Sequence, residues 1–136
     1  MQLVPFRNAD EIVFKPRFIE RYSNLTDWES FKQCSLSFLR RSIRANTLKI
    51  TINELKKRLE KNWDLEQVPW CKEGFWIEHH KKERRDVGNL IEHSLGYFYL
   101  QEAASMIPPI VLQPNPNDIV LDVAASPGSK TTQIAQ

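Results

Sequence analysis

The chain has 136 residues, enough for one ordinary domain or for a small domain and part of another. A hydrophobic content of 41%, with four Trp, seven Phe and three Tyr, supplies a packed core and excludes global disorder. The formal net charge of +2 is unevenly spread, with 13 Lys/Arg against 7 Asp/Glu between Arg40 and Arg85; such a stretch suits a phosphate-rich partner or a solvated surface.

No apolar run reaches the roughly 18 residues a membrane helix needs, and charges interrupt "MQLVPFRNADEI" where a signal peptide needs an apolar centre. The protein therefore reads as soluble and cytoplasmic. Cys34 and Cys71 stand far apart and in no C-x-x-C spacing, which argues against a disulfide framework or a zinc site. His79, His80 and His93 have no ligand spacing either, so no metal is expected.

Residues 16–39 have a helical pattern, with Phe18, Tyr22, Leu25, Trp28 and Phe31 at three- and four-residue intervals. A break near Ser23-Asn24 and a second helix from about Trp28 are predicted, since Asn, Thr and Asp there are good N-caps. "RRSIRANTL" reads as a short strand. Thr51-x-x-Glu54 is a capping box that opens a helix with Leu55 and Leu59 on one face. From Trp63 to Glu92 the pattern is irregular, although "GFWIEHH" and, further on, "GYFYL" are strand-like. Gln101–Ile107 has helical character that Pro108-Pro109 must kink or restart. "PNPND" (114–118) is turn chemistry, and "DIVLDV" (118–123) is an apolar strand ending in an acid.

The loop "AASPGSK" (124–130) follows, and then a helix begins. Small residues let a ligand approach the backbone, and free N–H groups at a helix start favour an anion. A phosphate loop requires G-x-x-x-x-G-K-[ST], which the spacing of Gly128 and Lys130 does not meet. A dinucleotide loop requires three glycines and finds one. An S-adenosylmethionine loop, with Asp122 facing the ligand's positive charge, and a plain small-residue turn with no ligand both fit.

"LDVAASPGSKTTQIA" resembles the first cofactor motif of the Sun/Fmu (Nop-type) RNA cytosine-C5 methyltransferases, D-x-[CA]-A-x-P-G-[GS]-K-[TS]. "IRANTLK" (43–49) resembles that family's R-x-N-T-L-K segment, and "GNLIEHSLGYFYLQEAASMIPPIVLQP" (88–114) its approach to the catalytic domain. Ser126 stands where the family more often has Ala, a small-for-small change.

The resemblance implies an α/β protein: an α+β RNA-handling module over residues 1–113, then over 114–136 the first strand, loop and helix of a Rossmann-like methyltransferase domain that is incomplete here. It implies S-adenosylmethionine as cofactor, held by Asp122, Ala124, Ala125, Ser126, Pro127, Gly128, Ser129 and Lys130, and tRNA or rRNA as partner. Arg44, Asn46 and Gln101 match the family's motifs as RNA-side or active-site supports, the alternative being strand termination and capping. Lys81, Lys82, Arg84 and Arg85 are phosphate-contact candidates on charge alone. Trp70, Trp76 and Tyr97 could stack on bases, but a core role suits each better.

The family's chemistry is methylation at cytosine C5, in which a cysteine thiolate adds to C6 so that C5 becomes nucleophilic. Its nucleophile sits in a Thr-Cys-Ser segment and its cytosine-binding aspartate near a Pro-Cys pair. Neither segment occurs here, so no catalytic residue is assigned, and the chain alone is expected to be inactive. A non-catalytic RNA-binding module is the alternative function.

Overall fold

The computed structural model describes residues 4–81 and 86–136. The chain forms two compact units, one ending at Leu39 and one spanning Arg40–Gln136.

In the first unit, α1 (Pro16–Ser23) starts with proline at its first position and α2 (Trp28–Ser35) starts after Asp27. Proline costs nothing at a position whose N–H has no helical partner. The Asp27 carboxylate accepts from the Ser30 N–H at 2.8 Å, the capping expected of this turn. Phe14, Phe18, Tyr22, Trp28 and Phe31 interlock, with Tyr22 and Phe31 stacked at 4.5 Å and Phe14 edge-on to Trp28 at 5.2 Å. A bridge between Pro5 and Ser37 ties the two ends of the unit together.

The second unit is built on an antiparallel sheet in the order β2-β3-β1-β4, formed by β1 (Ser42–Ala45), β2 (Trp63–Gln67), β3 (Gly74–His79) and β4 (Phe98–Leu100). In the register Ile43 faces Phe75 and Leu100, while Arg44 faces Gly74 and Tyr99. Alternation along the strands then sorts the side chains. One face carries Ile43, Ala45, Trp63, Phe75, Ile77 and Phe98, which pack with Leu55 and Leu59 of α3 (Ile52–Leu59) into the main core. The predicted capping box is present at the start of α3: Thr51 Oγ1 accepts from the Glu54 N–H and Glu54 returns the bond to the Thr51 N–H.

The other face carries Arg44, Gly74, Trp76 and Tyr99. Over Gly74 sits a smaller core of Val68, Cys71, Ala103 and Met106. A short helix α4 (Ile91–Ser94) leads into β4. After β4, a 3-10 turn (Ala103–Met106) passes into α5 (Ile107–Leu112), whose prolines fall in its first turn. This is the restart expected from Pro108-Pro109, placed where the missing N–H is tolerated. The last helix is α6 (Ser129–Ile134).

Two expectations need correction. β2 lies within the stretch whose pattern looked irregular. Conversely, residues 118–123 form no strand: none of the four described strands runs beside them, and Ile119, Leu121 and Val123 are exposed. A strand is a pairing of two backbones, and an apolar sequence without a neighbour has nothing to pair with.

Candidate functional site

The loop between Asp122 and α6 is closed from within. Asp122 accepts from the Ala124 N–H at 3.1 Å through one carboxylate oxygen and from the Thr131 hydroxyl at 2.6 Å through the other. The Thr131 hydroxyl, then the Ala124 N–H, hold the Asp122 carboxyl below its ordinary value. Gly128 precedes α6 with φ +105°, a left-handed conformation that side chains resist. A Cβ there would have 4 Å of clearance, so the backbone angle, and not crowding, demands glycine. The Thr132 hydroxyl donates to Gly128 O at 2.7 Å. Ala124, Ala125, Ser126, Pro127 and Lys130 are exposed, leaving the outer side of the loop open.

Because the Asp122 carboxyl is depressed, its contribution to loop order is present above the ordinary carboxylate range and is lost as pH falls through the lowered value. The Ala124 amide resonance should therefore titrate with a midpoint below about 3.9, the value of a free aspartate. A midpoint at or above that value would show that the clamp does not form.

The loop is also held from the sheet. Tyr99 on β4 donates its hydroxyl to Pro127 O at 3.1 Å. Arg44, paired with Tyr99 across the ladder and 2% exposed, reaches the following helix. Its Nη1 donates to Ser129 O at 2.9 Å and to Gln101 Oε1, its Nη2 donates to Thr132 Oγ1 at 3.1 Å, and its Nε to Gln136 Oε1 at 3.2 Å. Burial lowers the Arg44 guanidinium from its ordinary value. Gln101 Nε2 donates to Gln133 Oε1 at 2.7 Å and to Ser105 O at 3.1 Å, and Gln133 in turn donates to Met106 O at 3.1 Å.

The sequence-predicted residues thus fall into separate places. Asp122 and residues 124–130 form one loop, and Arg44 and Gln101 stand behind it. Asn46 caps a turn, donating to Gly96 O at 2.9 Å and accepting from the Leu48 N–H at 3.2 Å. Lys81 is exposed at the end of the β3 hairpin arm; Lys82, Arg84 and Arg85 lie outside the described residues. Trp76 and Tyr97 pack against the smaller and the main core respectively, whereas Trp70 is 42% exposed and anchored by its ring N–H on Ala103 O at 2.9 Å. Cys71 is buried, which pushes its thiol up and away from thiolate chemistry; Cys34 is exposed on α2. Tyr99, Thr131, Thr132, Gln133 and Gln136 were not singled out in the sequence. Only the threonines' place in the first turn after the glycine loop hinted at a role.

The second unit thus carries a closed glycine loop held against one face of an antiparallel sheet. The family model for the N-terminal domain of 16S rRNA methyltransferase RsmF matches residues 14–103, and the chain belongs to that family. It is 52% identical over 121 residues to the tRNA (cytosine(49)-C(5))-methyltransferase of Pyrococcus abyssi, an overlap of 88% of this chain and 38% of that protein. With the ribosomal RNA small subunit methyltransferase F of Shewanella oneidensis the identity is 54% over 100 residues, covering 71% of this chain and 21% of that one. The chain thus spans well under half the length of these curated relatives. Among solved structures it resembles a methyltransferase homolog protein from Pyrococcus horikoshii, with a TM-score of 0.66 and 34% identity over 90% of this chain and 44% of that one. Among the described residues, no helix is long and apolar enough to cross a membrane.

Proposed function

We propose that this chain is the N-terminal part of an S-adenosylmethionine-dependent methyltransferase that forms 5-methylcytosine in tRNA or rRNA in the cytoplasm. The observation that carries the reading is the closed loop from Asp122 to Lys130, with its positive-φ glycine and open outer side, on a chain whose family consists of RNA methyltransferases. The residues fit the cofactor. Small side chains at 124–126 admit a close approach to the backbone, and the ionised Asp122 favours a cationic ligand. When bound, S-adenosylmethionine would supply an electrophilic methyl group. This chain's part is to hold it by residues 124–130 and to orient the loop through Asp122. Cys71, buried and with its thiol pushed up, is unsuited to be the nucleophile, so no catalytic residue is assigned.

Lys81, with Lys82, Arg84 and Arg85 of the same run, is the RNA-contact element of this reading. Each lysine or arginine brought to a phosphate releases counterions. Charge reversal of all four should weaken tRNA binding in a gel-shift titration and flatten its dependence on log salt by about one for each phosphate no longer held. An unchanged slope would remove this run from the interface. RNA binding without any cofactor-induced shift in the amides of residues 124–130 would favour the non-catalytic RNA-binding module instead.

A further inference from the structure

We propose that Arg44 is a positioning residue that couples the sheet to the cofactor loop, fixing α6 and with it Gly128–Lys130. The assignment rests on the reading of residues 124–130 as the cofactor loop and gives the R-x-N segment a role other than contact with RNA.

Arg44 is a cation in the centre of a sheet face, 2% exposed. Among the described residues it forms no ion pair, and its four hydrogen-bond acceptors are neutral. A charge removed from water is tolerated only where hydrogen bonds replace its hydration. Three of those four acceptors, Ser129 O, Thr132 Oγ1 and Gln136 Oε1, belong to α6 and the two residues after it. Undocking that segment would strip the guanidinium of most of its partners, so the energetic demand of the buried charge holds the segment down.

The remaining acceptor, Gln101, extends the same clamp. It accepts from Arg44 and passes a bond to Gln133, which passes one to the turn at Met106. Gln136 closes the far end by donating to Ala45 O at 3.0 Å and Thr47 Oγ1 at 2.9 Å, both on or just after β1. On the loop side, Tyr99 holds Pro127 O from the position that faces Arg44 in the ladder. One cross-strand pair therefore grips both the loop and the helix that follows it.

The fork matters as well as the charge. Nε, Nη1 and Nη2 each point at a different acceptor, which a lysine ammonium on a flexible stem cannot reproduce. Direct phosphate contact is incompatible with this burial, since every bond to α6 would have to break first.

The test is amide hydrogen exchange by NMR on the 136-residue chain, comparing Arg44→Met and Arg44→Lys with the parent. The reporters are Thr132 N–H within α6 and Ala135 N–H at its C-cap, bonded to Thr131 O, and Ala45 N–H and Ile77 N–H on the sheet strands. In both variants the α6 amides should exchange at least about tenfold faster while the strand amides stay within about threefold. The combined Thr132→Val and Gln133→Leu change, made from the exposed side, should give the same pattern and serves where Arg44→Met does not fold. Unchanged α6 exchange, or equal acceleration of helix and strand amides, would overturn the proposal. So would an Arg44→Lys chain that exchanges like the parent. The salt slope of tRNA binding should be unaltered in Arg44→Met, and a slope reduced by about one would make Arg44 a phosphate contact instead. Exchange without cofactor tests the clamp alone. Released α6 amides in Arg44→Met, alongside no response of the parent's loop amides to S-adenosylmethionine, would uphold the clamp and reject the cofactor reading.

Discussion

Replacing Phe75 by alanine should lower the stability of the second unit by about 3–5 kcal/mol, the range for truncating a fully buried aromatic ring. Phe75 is 1% exposed and lies on β3, facing Ile43 of β1 on one side and Gln67 of β2 on the other. Its ring belongs to the cluster that includes Leu55 and Leu59 of α3, and Lys56 extends over it with Nζ 4.8 Å from the ring centre. The ring thus joins three strands to α3, and no small movement of a single element can refill its volume. Domains of this kind have only about 5–15 kcal/mol to lose. The variant should show a urea midpoint far below the parent's, followed by tryptophan fluorescence and far-ultraviolet circular dichroism together. A loss of less than about 1 kcal/mol would mean that the main core is centred elsewhere. The consequence reaches the site, because Ile43, which faces Phe75, is the neighbour of Arg44 on β1. A β1 that loses its core face cannot present the guanidinium on the other.

What could be read in the sequence was local. The capping box at Thr51-Glu54, the aspartate before Trp28 and the small-residue loop at 124–130 are set by neighbours within a few residues, and each formed where expected. β2 escaped because "WDLEQ" offers only Trp63 and Leu65 to mark an inward face, too short an alternation to stand out from an irregular stretch. Residues 118–123 misled in the opposite direction, since their composition suits a strand but pairing depends on a partner that composition does not reveal. The clamp was the least legible part. Arg44 meets Ser129 and Gln136 across 85 and 92 residues of chain, and both contacts follow from the sheet register and the path of α5 and α6. The R-x-N segment was recognisable as a motif, with RNA-side or active-site support and strand termination or capping as its readings, but only the burial of Arg44 in the structure turns its guanidinium inward.

Gly74 is where the second large effect is expected, and it links the smaller core to that clamp. The residue sits in ordinary strand backbone opposite Arg44, so substitution there meets a packing obstacle and no conformational one. A Cβ would lie 2.6 Å from Met106 Sδ, 3.1 Å from Cys71 Cβ and 3.2 Å from Val68 Cβ. The methionine sulfur is flexible, but Met106 is fully buried and has no solvent to swing into. Gly74→Ala should cost about 1 kcal/mol and Gly74→Val about 3, the range for overfilling a packed core. The Met106→Ala change removes the sulfur that obstructs the new group. The Gly74→Ala and Met106→Ala double variant should accordingly be less destabilised than the two single changes added together, by about 1 kcal/mol in a denaturation cycle. Strict additivity would show that the two residues do not compete for the same space. The obstruction also has a direction. Met106 O accepts the Gln133 side chain, so a turn pushed outward by a larger residue at 74 pulls on α6 from beneath. Gly74→Val should then loosen the Thr132 and Ala135 amides beyond what its overall loss of stability explains, by displacing the platform on which the Arg44 clamp rests.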